Sequence, residues 1–399
     1  MNFSIQYLSI EFENPFVLAS GPPTATYDMI ARAFEAGWAG AVIKTLIKEP
    51  VKNVQNRFAS NKFGSYILSF ENIELLSERR PEEWFKDIMR LKKQFPHKII
   101  IGSIMGDAKD DSHWKELAIG CEQAGADMIE LNFSCPHGYP EKGKGSAIGQ
   151  NAEYSRQIVE WLKRCTLVRI PIIPKLTAAV SDISHIGEAV AEAGADGICA
   201  INTYPSLMGF DLKTLMPKAS VNGYTTAGGY SGAGLKPIAL RCMKDLITRP
   251  GIPVMAGGGI SNGFDAAEFM LLGAPIVQIC TAVMLQGYDH IKTMLKEMQE
   301  FMSWHDLNSI DDFLGLGISR IRTYGELDLS YSVVPTINRD SCTGCGRCFL
   351  SCRDGGYQAI RMKEGFPVVN DKKCSGCSLC FQVCPCGAIV MQERTIYDR

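Results

Sequence analysis

Near the C-terminus, one cysteine spacing occurs twice. CTGCGRCFLSC supplies Cys342, Cys345, Cys348 and Cys352, and CSGCSLCFQVCP supplies Cys374, Cys377, Cys380 and Cys384. Both runs read C-x2-C-x2-C-x3-C, and the second continues into Pro385. In a two-cluster run, three closely spaced thiolates wrap three corners of a four-iron cubane and the fourth comes from the other run. The spacing therefore predicts one [4Fe-4S] cluster on Cys342, Cys345, Cys348 and Cys384, and a second on Cys374, Cys377, Cys380 and Cys352. A zinc ribbon needs only two C-x2-C pairs, so two complete runs argue against zinc. Cys386 falls outside the pattern and is expected to be a buried spare. The chain has 15 cysteines, and the six between Cys121 and Cys280 are scattered. Scattered thiols in a reducing compartment are mostly small buried hydrophobes.

One of those six stands in a different setting. In IELNFSCPHGYPEKGKG, an apolar strand ends at Asn132, and Cys135 follows beside a proline and a histidine in a loop rich in glycine and lysine. A thiol on a closing loop can reach a substrate carbon while shielded from bulk water, as a general acid must. Near its ordinary pKa it is largely protonated at neutral pH. Cys135 is therefore read as a proton donor, and His137 as a lid or packing residue.

These residues need a scaffold. Four stretches repeat a small-residue helix end followed by a short apolar strand: EAGWAGAVIK (35–44), QAGADMIELN (123–132), EAGADGICAIN (192–202) and LLGAPIVQICT (271–281). With PFVLAS, KIIIGS, IPIIPK and IPVMAGG they make eight apolar runs, and helical patterns such as 82–95 and 265–272 separate most of them. Runs without polar alternation suggest strands buried on both faces, hence parallel pairing. Eight β–α units predict a (β/α)8 TIM barrel. An open doubly wound sheet would more often carry GxGxxG after its first strand, and Ser20-Gly21-Pro22-Pro23 is not that. The runs end on Ser20, Lys44, Ser103, Asn132, Lys175, Asn202, Gly257–Gly259 and Thr281, at the rim where barrel chemistry is assembled. The expected division is a barrel over 1–303, a connector over 304–335 with one helix near 310–321, and a small α+β, two-[4Fe-4S] ferredoxin-like domain over 336–399.

Two glycine-rich stretches, TAGGYSGAGLKP and AGGGIS, fall late in the barrel, each before a helical pattern. Barrel phosphate sites use backbone N–H groups after strands seven and eight. Ser231, Gly232, Gly258, Gly259 and Thr281 are therefore the expected phosphate set. Two one-electron centres in series call for an acceptor that takes electrons singly and passes on two, and flavin does this. Lys44 and Lys175 would place positive charge near a reduced, anionic isoalloxazine.

NFSCPHG, NIEL (72–75), INT followed by LMG (201–209), GGYSG and the double cysteine run together resemble the dihydropyrimidine dehydrogenases. The likeness is closest to the FMN/iron–sulfur subunit of the bacterial two-subunit type. The related dihydroorotate dehydrogenases share the barrel and an Asn-x-Ser-Cys-Pro loop, but as single-chain barrels they lack the fused tail. The resemblance implies reduction of uracil or thymine to the 5,6-dihydropyrimidine, with hydride from FMN to C6 and a proton from Cys135 to C5. Asn72, Glu74, Asn132, Ser134, Asn202 and Thr203 would hold the pyrimidine. Ala19, Ser20, Lys44, Thr45 and Lys175 would contact FMN. Asparagine amides suit a ring edge that alternates carbonyls with N–H groups, and Glu74 would repel the carboxylate of orotate. Two departures stand out: Phe133 where leucine is expected, and Tyr204–Pro205 where smaller residues are, which would crowd the pocket.

The resemblance further implies a partner subunit carrying FAD and taking NAD(P)H, and a homodimer within a hetero-oligomer. Two alternatives remain open: a ferredoxin-fused dihydroorotate dehydrogenase and a non-catalytic iron–sulfur adaptor. A net charge of -2 gives no basic excess for nucleic acid. No run of about eighteen apolar residues suggests a membrane span. No signal peptide is legible at the N-terminus, and a cytoplasmic location is expected.

Overall fold

A computed structural model of the chain describes residues 1–135 and 144–394. Eight parallel strands close into a barrel: β1 (Phe16–Leu18), β2 (Gly40–Val42), β3 (Ile99–Ile104), β4 (Met128–Asn132), β5 (Ile172–Leu176), β6 (Ile198–Ala200), β7 (Val254–Gly257) and β8 (Val277–Ile279). They neighbour one another in chain order, and β8 closes on β1 through Val277↔Phe16, Gln278↔Val17 and Ile279↔Leu18. Every residue of β3, β4 and β5 is buried, as parallel strands covered on both faces must be.

The outer layer is α1 (Tyr27–Ala36), α2 (Pro81–Gln94), α3 (Ser112–Gln123), α4 (Ala152–Lys163), α5 (Ile183–Glu192), α6 (Lys236–Thr248), α7 (Gly263–Leu271) and α8 (His290–Trp304). Short polar side chains start several of them. Thr26 accepts from the Met29 N–H, Asn151 from Tyr154 and Asn262 from Asp265, which satisfies amides a helix start leaves open. The sequence repeat marks where helices stop. Gly37, Gly125, Gly194 and Gly273 all have φ between +93° and +117°, the left-handed turn that ends a helix and that glycine adopts without cost.

Two connections at the rim are long. The one after β2 carries strands Phe58–Phe63 and Tyr66–Asn72, and the one after β6 carries Tyr204–Ser206 and Gly228–Ser231. These four form a separate antiparallel sheet, with Tyr204↔Tyr230, Gly229↔Asn72 and Phe58↔Asn72 in register. The single helix expected near 310–321 is absent. Two 3-10 turns stand there, Ile310–Asp312 and Ile318–Arg320, because Gly315 and Gly317 interrupt the stretch and Gly315 takes φ +78°.

The chain divides into two compact units, Met1–Ile321 and a second beginning at Arg322. In the second, Val333–Ile337 pairs with Ile389–Glu393, Ile360–Lys363 pairs with Phe366–Val369, and short helices Arg347–Gly355 and Leu379–Gln382 carry the later cysteines of the two runs, Cys348 and Cys352 in one and Cys380 in the other. Cys348, Ile360, Cys380 and Ile389 form its core. Among the described residues no helix is long and apolar enough to cross a membrane.

Candidate active site

The C-terminal ends of the barrel strands surround a cleft with a cavity volume of about 150 Å3. Its lining includes Ala19 and Ser20 after β1, Lys44 and Thr45 after β2, Asn132 and Cys135 at the end of β4, and Lys175 on β5. It also includes Asn202 and Thr203 after β6, Gly258 and Gly259 after β7, and Thr281 after β8. The antiparallel sheet adds Asn72, Glu74, Ser231 and Gly232. Ser134 does not line the cleft. It is fully buried and bonds to the Asn132 amide oxygen, 3.2 Å from its N–H and 3.4 Å from its hydroxyl.

A polar network joins these strand ends. Ser20 and Thr45 hydroxyls lie 3.0 Å apart, Thr45 and Ser103 2.8 Å, and Asn132 Nδ2 donates to Thr45 Oγ1 at 3.1 Å. Ser103 donates to Glu130 at 3.2 Å and Gln278 Nε2 donates to Glu130 at 2.8 Å. Lys175 Nζ donates to Gln278 Oε1 at 2.7 Å and sits 3.5 Å from Glu130. Burial pulls the Lys175 ammonium toward neutrality, but the charge of Glu130 overrides it and its pKa is raised. A fixed positive charge thus faces the cleft from β5.

Glu130 and Gln278 escaped the reading of the sequence as site residues. Their signal was an ionisable or amide side chain inside an otherwise apolar strand, MIELN and PIVQI, since buried charge occurs where it is paired.

The amides are aimed by local bonds. Asn72 Oδ1 accepts from the Glu74 N–H at 2.6 Å, and Asn202 bridges Ser134 O at 3.0 Å and the Thr203 N–H at 2.9 Å. Glu74 is not the bare negative charge expected. Lys44 Nζ lies 2.9 Å from one of its oxygens and Arg57 Nε 3.4 Å from the other. With Lys175 and Glu130 included, three cations face two carboxylates, so repulsion of an anionic substrate is offset.

Cys135 is buried and lines the cleft. The returning chain fixes its backbone: Ser146 N–H donates to Cys135 O at 3.0 Å and Gly149 N–H to Phe133 O at 3.0 Å. Phe133 packs edge-on against Trp114, centroids 5.7 Å apart, so the residue found in place of leucine serves the core. His137 and the centre of the loop, residues 136–143, lie outside the described residues. Tyr204 and Pro205 form the edge of the antiparallel sheet and do not line the main cleft. Tyr204 faces a second hollow with Ile183, Pro237 and Arg241, so the expected crowding is absent.

The glycine turns fit a phosphate. Gly258 and Gly259 have φ +106° and +84°, and a Cβ on Gly259 would stand 2.2 Å from the Lys236 nitrogen at the start of α6. The turn therefore packs backbone against backbone. Thr281 Oγ1 donates to Ser231 Oγ at 2.8 Å, which brings two hydroxyls to the same end of the cleft.

In the second unit, two small cavities each gather thiols from both runs. One is lined by Cys342, Cys345, Cys348 and Cys384, together with Cys386. The other is lined by Cys352, Cys374, Cys377 and Cys380. The last cysteines of the two runs are placed alike: Ala388 N–H donates to Cys384 Sγ and Ala359 N–H to Cys352 Sγ, both at 3.3 Å. Among the described residues no three His, Cys, Asp or Glu side chains are grouped to hold a single metal ion. Cys386 is exposed, not the buried spare expected.

A closed parallel barrel with a cleft at its strand ends, followed by a unit with two four-cysteine runs, defines an oxidoreductase of the flavin and iron–sulfur class. The dihydroorotate dehydrogenase family model matches residues 3–302 and a 4Fe-4S dicluster domain matches 335–391, and the chain belongs to the dihydroorotate dehydrogenase family. It is 39% identical over 367 residues to the NAD-dependent dihydropyrimidine dehydrogenase subunit PreA of Escherichia coli K12, covering 91% of this chain and 88% of the relative. It is 38% identical to the chloroplastic dihydropyrimidine dehydrogenase (NADP(+)) of Arabidopsis thaliana, over 82% of this chain and 79% of that one. It is 36% identical to the catalytic subunit of dihydroorotate dehydrogenase B (NAD(+)) of Pyrococcus abyssi, over 79% and 98%. The expected likeness to dihydropyrimidine dehydrogenases is thus the one the relatives carry.

Proposed function

We propose that this chain is the pyrimidine-reducing subunit of a dihydropyrimidine dehydrogenase, converting uracil or thymine to the 5,6-dihydro compound. The observation that carries it is that the Cys135 thiol lines the same cleft as the amides of Asn72, Asn132 and Asn202 and the glycine turn at Gly258 and Gly259. Gly258, Gly259, Ser231, Gly232 and Thr281 would hold the phosphate of FMN, with Ala19, Ser20, Lys44, Thr45 and Lys175 against its ring system. The hydride for C6 of the pyrimidine would come from FMN held by these residues.

The remaining work belongs to the protein. The amides and Thr203 orient the ring by matching its alternating carbonyl and N–H groups. Lys44 holds Glu74 ready to accept a ring N–H. Cys135 gives its proton to C5, so the ring gains one hydride and one proton across its double bond. Lys175, kept charged by Glu130, stabilises negative charge that develops beside β5. The eight run cysteines would hold two [4Fe-4S] clusters, which supply single electrons drawn from an FAD-containing partner that oxidises NAD(P)H.

A second reading, orotate chemistry, is favoured by one observation: Lys44 and Arg57 flank Glu74 and leave the site cationic. An anaerobic assay driven by reduced viologen decides between them. Consumption of uracil or thymine, abolished by Cys135→Ala, is the expected result. Turnover of orotate with uracil untouched would replace this reading with the second.

A further inference from the structure

The two cluster cavities are not equivalent. The one with Cys352, Cys374, Cys377 and Cys380 contains four thiols, with Ser375 and Ser378 beside them. The one with Cys342, Cys345, Cys348 and Cys384 contains a fifth, Cys386. Its sulfur lies 3.8 Å from that of Cys384, the ligand supplied by the other run.

In the first run the residue two positions after the fourth cysteine is Asp354, whose carboxylate is engaged by Arg353 at 2.7 Å. The fifth thiol therefore has no counterpart at the matching position. Gly387 follows it with φ +62°, and a Cβ there would meet nothing within 4 Å. The backbone just past Cys386 thus has open space in which to shift.

We infer that Cys386 is a reserve ligand for this cluster, able to bind the iron that Cys384 holds when the Cys384 sulfur is lost. The inference rests on the two-cluster reading given above. The exchange moves no electrons: Cys386 releases its proton to solvent as its sulfur bonds the iron, since only the thiolate ligates. A thiol already beside the departing ligand needs a small displacement, whereas the other cavity has only hydroxyls, which are poor ligands for iron–sulfur clusters.

The test uses the full-length chain purified without oxygen, with iron and acid-labile sulfide measured per chain. Wild type should carry about eight iron atoms, two cubanes of four. If it does not, the cluster reading itself fails. Cys384→Ala should retain the wild-type iron content, while Cys352→Ala and the double variant Cys384→Ala/Cys386→Ala each lose about half.

Iodoacetamide labelling followed by mass spectrometry gives a second readout. Cys386, exposed in the native protein, should be labelled in wild type and protected in Cys384→Ala. Equal iron loss in Cys384→Ala and Cys352→Ala overturns the inference, as does undiminished labelling of Cys386. So does a Cys384→Ala chain that fails to accumulate where Cys352→Ala succeeds, because a reserve ligand makes position 384 the more tolerant one. If neither alanine variant accumulates, Cys384→Ser carries the labelling test with the same two outcomes.

Discussion

Cys135 owes its place to residues that do no chemistry. Gly145 has φ +58°, and a Cβ there would lie 2.7 Å from the Cys135 carbonyl oxygen. Gly145→Val should therefore push the thiol out of register while leaving the phosphate end of the cleft untouched. Turnover should fall by at least about tenfold, on the order of 1.4 kcal/mol in the barrier, with flavin content unchanged on spectrophotometric assay. Glu130 works one step further back. Glu130→Gln keeps the hydrogen-bonding shape but leaves Lys175 buried without its counter-charge, a change that typically costs about 3–5 kcal/mol. A lower denaturant midpoint is expected, together with a lower Lys175 pKa, because burial then acts unopposed. At this scale the sequence was legible wherever a residue type is rare at a strand end, as with Lys44, Lys175 and Asn132. The pairing of Glu74 was not legible because its partners, Lys44 and Arg57, are distant in sequence and only folding brings their charges to it.

At the scale of elements, helix-ending glycines and unbroken apolar runs gave away the barrel, since both are local signals. The four-stranded antiparallel sheet was not legible. Its strands come from two connections more than a hundred residues apart, after β2 and after β6, and the pairing of Gly229 with Asn72 leaves no local pattern. That sheet nevertheless carries Asn72, Glu74 and Ser231 to the cleft, so two candidate substrate residues and one candidate phosphate residue depend on a long-range contact. The turn after β7 is a tighter constraint. Gly259→Ala would place a methyl group 2.2 Å from the Lys236 nitrogen in a backbone conformation that L-residues rarely adopt. The purified variant should lose bound flavin while retaining its iron and sulfide, which colour and iron assays report separately.

Across the whole molecule, the cysteines sort by surroundings. Burial pushes the thiols of Cys242 and Cys280 up to about 11 and that of Cys121 up to about 12, from an ordinary value of 9.0. The folded state therefore keeps these protons when the unfolded chain releases them. The stability this represents is whole below about pH 9 and is lost as pH rises toward 11 or 12, at about 1.4 kcal/mol per thiol per pH unit. The barrel should consequently unfold at lower denaturant at about pH 10 than at about pH 8, by on the order of 4 kcal/mol for the three together. The cysteine runs were the most legible feature of the chain because their spacing is written locally, and the two cavities group Cys384 with the first run and Cys352 with the second, as that spacing predicts.

The central claim, that one thiol completes reduction of a neutral pyrimidine at this cleft, is tested most directly in a single turnover. Dithionite-reduced protein is mixed anaerobically with uracil while the flavin absorbance is followed. Rapid reoxidation in wild type, abolished in a Cys135→Ala protein that still holds its flavin, is the predicted result. Reoxidation by orotate but not uracil, or an undiminished rate in Cys135→Ala, would contradict it.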